Sequence, residues 1–135
     1  MTAGYSQTPL LKKLGIKAET VLLVLHAPDN YFTLLKKDIS TQLCPGDGRP
    51  DMIHLFAKSK AIFEKEMKKL KPFWKAIPAI SIWVSWYKKS SGIASDITET
   101  DIRNYALQNG LVDVKVCAVS EQWSGLKLVV PLAKR

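Results

Sequence analysis

The stretch "AISIWVSWYKKSSGIASDITETD", residues 79–101, decides the fold. Ala79–Trp86 is apolar and aromatic, broken only by Ser81 and Ser85, and reads as the strongest strand of the chain. Trp83 and Trp86 are three apart, so along an extended chain they face opposite sides of a sheet and serve two packing layers. The run then meets Lys88 and Lys89, a small patch Ser90-Ser91-Gly92, and a helix start. Thr98 and Asp101 have capping-box spacing there, Ile102, Tyr105 and Ala106 form the inner face, and Gly110 ends the helix.

Upstream, Ser59 caps a helix whose Ile62, Phe63, Met67, Leu70 and Trp74 follow helical spacing, with lysines on the opposite side. Asp51–Phe56 is a short buried strand before it, and Cys44–Pro50 is a loop on its glycine and proline content. Asp38–Leu43 is a further strand candidate, and Tyr31–Lys37 a helix opened by Ala27-Pro28-Asp29-Asn30. Thr20–Leu25 is nearly all apolar, as a strand buried on both faces is. A short helix precedes it, with Thr8 as cap, Pro9 in the first turn, Leu10, Leu11 and Leu14 on one face and Gly15 as the stop. Downstream, Val112–Val119 and Gly125–Pro131 form an antiparallel hairpin through Ser120–Ser124. Alternating strands and helices predict an α/β class, a three-layer sandwich around a mainly parallel sheet with right-handed crossovers. Numbering the six expected strands along the chain, the expected order is 2-1-3-4-6-5, with the last strand antiparallel.

A chain of 135 residues, 47% apolar and 24% charged, is expected to be a single domain, 1–135, with a helical lead-in over 1–19 and the hairpin over 111–131. No apolar run approaches the roughly 20 residues of a membrane helix, and no secretory leader is readable, so a cytoplasmic protein without membrane contact is expected. Cys44 and Cys117 are too few and too far apart for a disulfide framework or metal knuckle. The net charge is +8, and residues 58–75 hold seven lysines against Glu64 and Glu66. That segment is either a solvated helix face or, through Lys65, Lys68, Lys69 and Lys71, a patch for nucleic acid or another polyanion.

"TAGYSQTPLLKKLGIK" (2–17), "VLLVLHAP" (21–28), "IHLF" (53–56), "WVSWYKKSSG" (83–92) and "LVDVKVCAVSEQWSGLKLV" (111–129) resemble the blocks of a family of short bacterial proteins with a domain-of-unknown-function label. The resemblance runs over essentially the whole chain and implies a truncated class I methyltransferase-like sheet, without implying an activity.

The residues themselves argue against a nucleotide cofactor. The turn after the first strand, His26-Ala27-Pro28-Asp29-Asn30-Tyr31-Phe32, contains no glycine where backbone would approach a cofactor. No acid closes the second strand, since Asp38 precedes it and Asp47 follows in the loop. No cofactor, S-adenosylmethionine included, and no metal is therefore expected. His26 and His54 make a conceivable metal or base pair, against a reading in which one caps a strand end and the other is half-buried in the sheet. The better candidate lies where parallel strands end. The strand order changes direction between the first and third strands, which opens a crevice on that rim. Lys88, Lys89, Ser90, Ser91 and Gly92 bring cations and donors there, and His26, Asp29 and Asn30 bring complementary polar groups. Three functions fit: a non-catalytic accessory or regulatory domain, monomeric or weakly dimeric, that binds a small anion or a protein partner; an enzyme using His26, Asp29, Lys88 and Ser90; or a polyanion binder through the lysine-rich helix.

Overall fold

In a computed structural model that describes residues 8–45 and 48–135, five strands build one mixed sheet. They are β1 (Leu22–Leu25), β2 (Met52–Phe56), β3 (Ser81–Tyr87), β4 (Val112–Ala118) and β5 (Trp123–Val129), in the order β1-β2-β3-β5-β4. β1, β2 and β3 are parallel, and β5 runs antiparallel to both β3 and β4. Residues 1–7 of the expected lead-in, and Gly46 and Asp47 of the loop, lie outside the described residues.

Among the described residues, four α-helices supply the outer layers: α1 (Leu10–Leu14), α2 (Tyr31–Leu35), α3 (Lys60–Ala76) and α4 (Glu99–Gln108). Strand alternation sorts the core into two halves. Ile53, Leu55, Ile82, Val84, Trp86, Leu126 and Leu128 pack under α3 and α4. Leu22, Met52, Phe56, Trp83 and Trp123 pack under α1 and α2. Trp83 and Trp86 thus serve opposite layers, as their spacing predicts. The caps on the long helices are also as expected. Ser59 accepts from the Ile62 N–H at 3.2 Å, and Thr98 and Asp101 form a reciprocal capping box. At α1, however, Pro9 takes the cap position and no side chain caps the helix, in place of Thr8.

The expected strand over Asp38–Leu43 does not form. Asp38 accepts from the Ser40 N–H at 2.9 Å, and Ser40–Gln42 coils into a 3₁₀ turn. The Gln42 side-chain amide donates to the carbonyls of Lys17 and Thr20 at 2.8 and 3.0 Å. Short polar side chains that bond the local backbone compete with a sheet ladder, and here they win. Ile39, with no exposed surface, anchors the turn to the core. All that remains of the strand is one parallel bridge, Leu43 to Leu22, with the Cys44 N–H on the Leu22 carbonyl at 2.9 Å. Without that strand β1 is an edge strand. The reversal of strand order that would open a crevice beside it is absent, and the remaining five strands keep their expected relative order.

His54 also differs from expectation. It is fully buried, at the centre of β2, rather than half-buried. Its Nδ1 lies 2.7 Å from the Tyr31 hydroxyl of α2, and its Nε2 lies 2.7 Å from the Ser85 Oγ of β3. A neutral imidazole has one donor and one acceptor nitrogen, and a hydroxyl can take either role, so both nitrogens are satisfied. Phe56 stacks on the ring with centroids 4.2 Å apart, and Tyr31 meets Phe56 edge-on at 5.3 Å. Burial pushes the imidazole pKa down to about 3 and pushes the Tyr31 hydroxyl well up.

Two expectations follow from this core. Trp83 is wholly buried, donates its indole N–H to the Leu14 carbonyl at 3.0 Å and lies against Gly125. Trp83→Ala is expected to cost about 3–5 kcal/mol in chemical denaturation. An unchanged melting temperature would show that the two layers do not depend on it. The second concerns pH. The folded state excludes a proton from His54 that the unfolded chain takes up below its ordinary pKa of 6.5, so stability is full above that pH and falls as pH drops toward about 3. Between pH 6.5 and 5 the expected loss is about 2 kcal/mol. His54→Gln should flatten that part of the curve, and an equal slope in wild type and variant would contradict the assignment.

Candidate functional site

β1, β2 and β3 end on one rim, and the turns that leave them carry the residues singled out from the sequence. The turn after β1 is closed by its own side chains. His26 adopts a left-handed backbone, with φ 58°, which a histidine adopts only at some cost. Its Nε2 lies 3.1 Å from Oε2 of Glu66, and Lys69 approaches the other carboxylate oxygen at 3.6 Å. Glu66 belongs to α3 and is only 8% exposed, so the contact ties the end of β1 to the helix above β2 and β3. His26 and His54 are therefore not a pair. Asp29 is exposed, and Asn30 opens α2 without a side-chain cap.

Beyond β3, Lys88 leaves the sheet with its N–H on the Gln122 carbonyl at 2.8 Å. Lys89–Ser91 form a 3₁₀ turn that Gly92 ends at φ 76°. The Ser91 hydroxyl is spent within that turn, donating to the Lys88 carbonyl at 2.6 Å and accepting from the Ile93 N–H at 3.1 Å. Lys89 and Ser90 are exposed. Asn30 shares a cleft of about 360 Å³ with Leu34 and residues 120–123, the same connection that receives Lys88. The structure thus gathers Asn30 and Lys88 around one connection, while His26 turns toward α3.

The N-termini of α3 and α4 at this rim are already occupied by carboxylates of the chain. The Lys60 N–H, first of α3, donates to Asp96 at 2.8 Å, and Ser95 donates to the Lys58 carbonyl at 3.2 Å. Asp101 accepts from the Thr98 N–H at 3.0 Å, and that bond, more than any other cause, holds its carboxyl below the usual range. Positive charge here therefore comes from side chains rather than helix dipoles.

Lys65, Lys68 and Lys69 are exposed on the outward face of α3, whereas half-buried Lys71 donates to the Asn109 Oδ1 at 3.3 Å. Cys117 is half-buried, and burial raises its thiol pKa, partly offset by Lys13, Lys115 and Lys88. Among the described residues, no three His, Cys, Asp or Glu side chains group as metal ligands would, and no helix is long and apolar enough to cross a membrane. Reading the sequence missed Glu66 as the partner of His26, and Tyr31 and Ser85 as partners of His54. Glu66 had a signal: it falls within the apolar arc of Phe63, Met67 and Leu70, where a carboxylate needs a partner.

No family model and no curated protein matches the chain. Solved structures do resemble it. A protein of the NADB-Rossmann superfamily from Streptococcus agalactiae superposes with a TM-score of 0.52 at 8% identity, over 93% of this chain and 69% of that one. An uncharacterised protein from Listeria monocytogenes gives 0.54 at 7% identity, over 93% and 68%. A magnesium protoporphyrin IX methyltransferase from Synechocystis with bound S-adenosylmethionine gives 0.47 at 10% identity, over 90% and 74%. At these identities the likeness of the first two shows the fold alone, and the chain has a Rossmann-like α/β fold.

Proposed function

We propose that this chain is a non-catalytic accessory or regulatory domain on a truncated, methyltransferase-like frame, and that it binds an anionic ligand at the rim where β3 ends. The observation that carries the reading is the closed turn after β1. A Rossmann-like protein that holds a nucleotide opens its first turn to backbone approach. Here His26 is bonded to Glu66, Pro28 lacks a donor, and Tyr31 is committed to His54. The frame is kept while the first turn has no glycine and its side chains are engaged elsewhere, which suits binding rather than group transfer. The resemblance of the blocks quoted from the sequence to a family of short bacterial proteins belongs to the same proposal. A net charge of +8, with Lys89 and Ser90 exposed beside Lys88, favours an anion over a neutral ligand.

The outward lysines of α3 favour a second reading, a polyanion binder. Lys65 and Lys68 are exposed and make no ion pair among the described residues, and Glu66 of the same helix points inward.

A thermal-shift and calorimetric screen tests the first reading. S-adenosylmethionine is expected not to bind, and a low-micromolar dissociation constant for it would overturn the proposal. Small phosphorylated compounds are expected to raise the melting temperature, because a ligand of the native state alone stabilises it. Lys88→Ala with Lys89→Ala should remove that shift while leaving the melting temperature of the free protein nearly unchanged.

A further inference from the structure

α3 and α4 both run away from the rim just described, and their C-terminal turns meet at the opposite one. A cleft of about 510 Å³ opens between them, within the range of small-molecule sites. Lys71 and Lys75 of α3 and Lys134 of the C-terminal turn line it, with the carboxamides of Gln108 and Asn109, and among the described residues no acidic side chain does. We propose that this cleft is a second anion site, separate from the rim of β3, and that it takes a small ligand carrying two or more phosphate groups.

The surroundings of Asn109 are built rather than loose. Lys71 donates to its side-chain oxygen, its amide donates to the Tyr105 carbonyl at 2.8 Å, and the indole N–H of Trp74 donates to its backbone carbonyl at 3.3 Å. Lys71 is thereby used in holding the cleft's floor. Lys75 and Lys134 are different: both are exposed, and neither ammonium makes a hydrogen bond or ion pair within the described residues. Cations are welcome at helix C-termini, but two such ends offer only about one negative charge in total. Three ammonium groups exceed that, and a cleft lined by one sign of charge concentrates counter-ions. Lysine is a point-charge partner for phosphate, and two lysines from different elements suit a ligand with two anionic groups. Trp74, Pro78 and Val130 also line it and offer an apolar surface to the rest of the ligand.

An amide NMR titration of the full chain with inorganic tripolyphosphate tests this. Resonances of Gln108, Asn109, Gly110 and the Trp74 indole are expected to shift and saturate. Lys75→Gln with Lys134→Gln should weaken that response about tenfold or more, as loss of both charge partners implies. Lys65→Gln with Lys68→Gln, an equal change of charge on the outward face, should leave it within about threefold. Both pairs are exposed, and unchanged melting temperatures confirm that the variants fold. Equal loss from either pair would mean diffuse attraction and overturn the site. So would an unshifted cleft. If residues 88–92 alone respond, the proposed function stands and this site falls; if neither region responds, no phosphoanion site exists at either rim. If a single-stranded oligonucleotide binds in preference and Lys65→Gln with Lys68→Gln abolishes it, the lysine face binds nucleic acid and the cleft assignment is overturned.

Discussion

A buried imidazole organises the half of the molecule that faces α1 and α2. His54 sits on the middle of three parallel strands and reaches α2 through Tyr31 and β3 through Ser85. Each contact crosses a different boundary, one between layers and one between strands. A core of aliphatic groups tolerates sliding because its contacts are non-directional. A fully enclosed ring with two hydrogen bonds tolerates little, since either nitrogen left unpaired costs about 1–3 kcal/mol. The aromatic groups extend the constraint, from His54 to Phe56, then to Trp123 and Tyr87. The register of the parallel strands and the seat of α2 are thus specified together. Because Tyr31 follows the first turn so closely, the same bond also sets the path of that turn.

The two rims of the sheet differ in how their charges are used. Where the parallel strands end, carboxylates of the chain occupy the starts of α3 and α4, and Glu66 holds His26. Where the helices end, ammonium groups gather with no acidic side chain among the described residues lining the cleft. The fold itself produces part of this asymmetry, because all crossover helices point the same way and present donors at one rim and carbonyls at the other. The chain has answered the donors with its own acids and has more than answered the carbonyls with lysines.

Much of the fold was legible because it rests on periodicity. The run Ala79–Trp86, the stripe from Phe63 to Trp74, the capping residues Ser59 and Thr98, and the terminal hairpin each carry their own local signal. Asp38–Leu43 misled because its apolar positions resemble a strand, while Asp38, Ser40 and Gln42 bond to nearby backbone. Pattern alone does not decide that contest. The candidate site was legible only by residue type. Sequence spacing brought Lys88 to the rim but could not show that the Ser91 hydroxyl closes its own turn, or that His26 turns to α3, since Glu66 lies forty residues away.

Both margins of the sheet are interrupted. β1 has four residues, and its outer side meets the Cys44 N–H. β4 carries a register shift between Asp113 and Lys115, with Val114 and Val116 more than half exposed beside it. An uninterrupted edge bearing those valines would be a template onto which other chains could add, strand by strand, into fibres. A bulge spoils the even spacing of donors and acceptors that such growth requires. The irregularity in β4 thus works against the addition of a further strand from another copy at this margin.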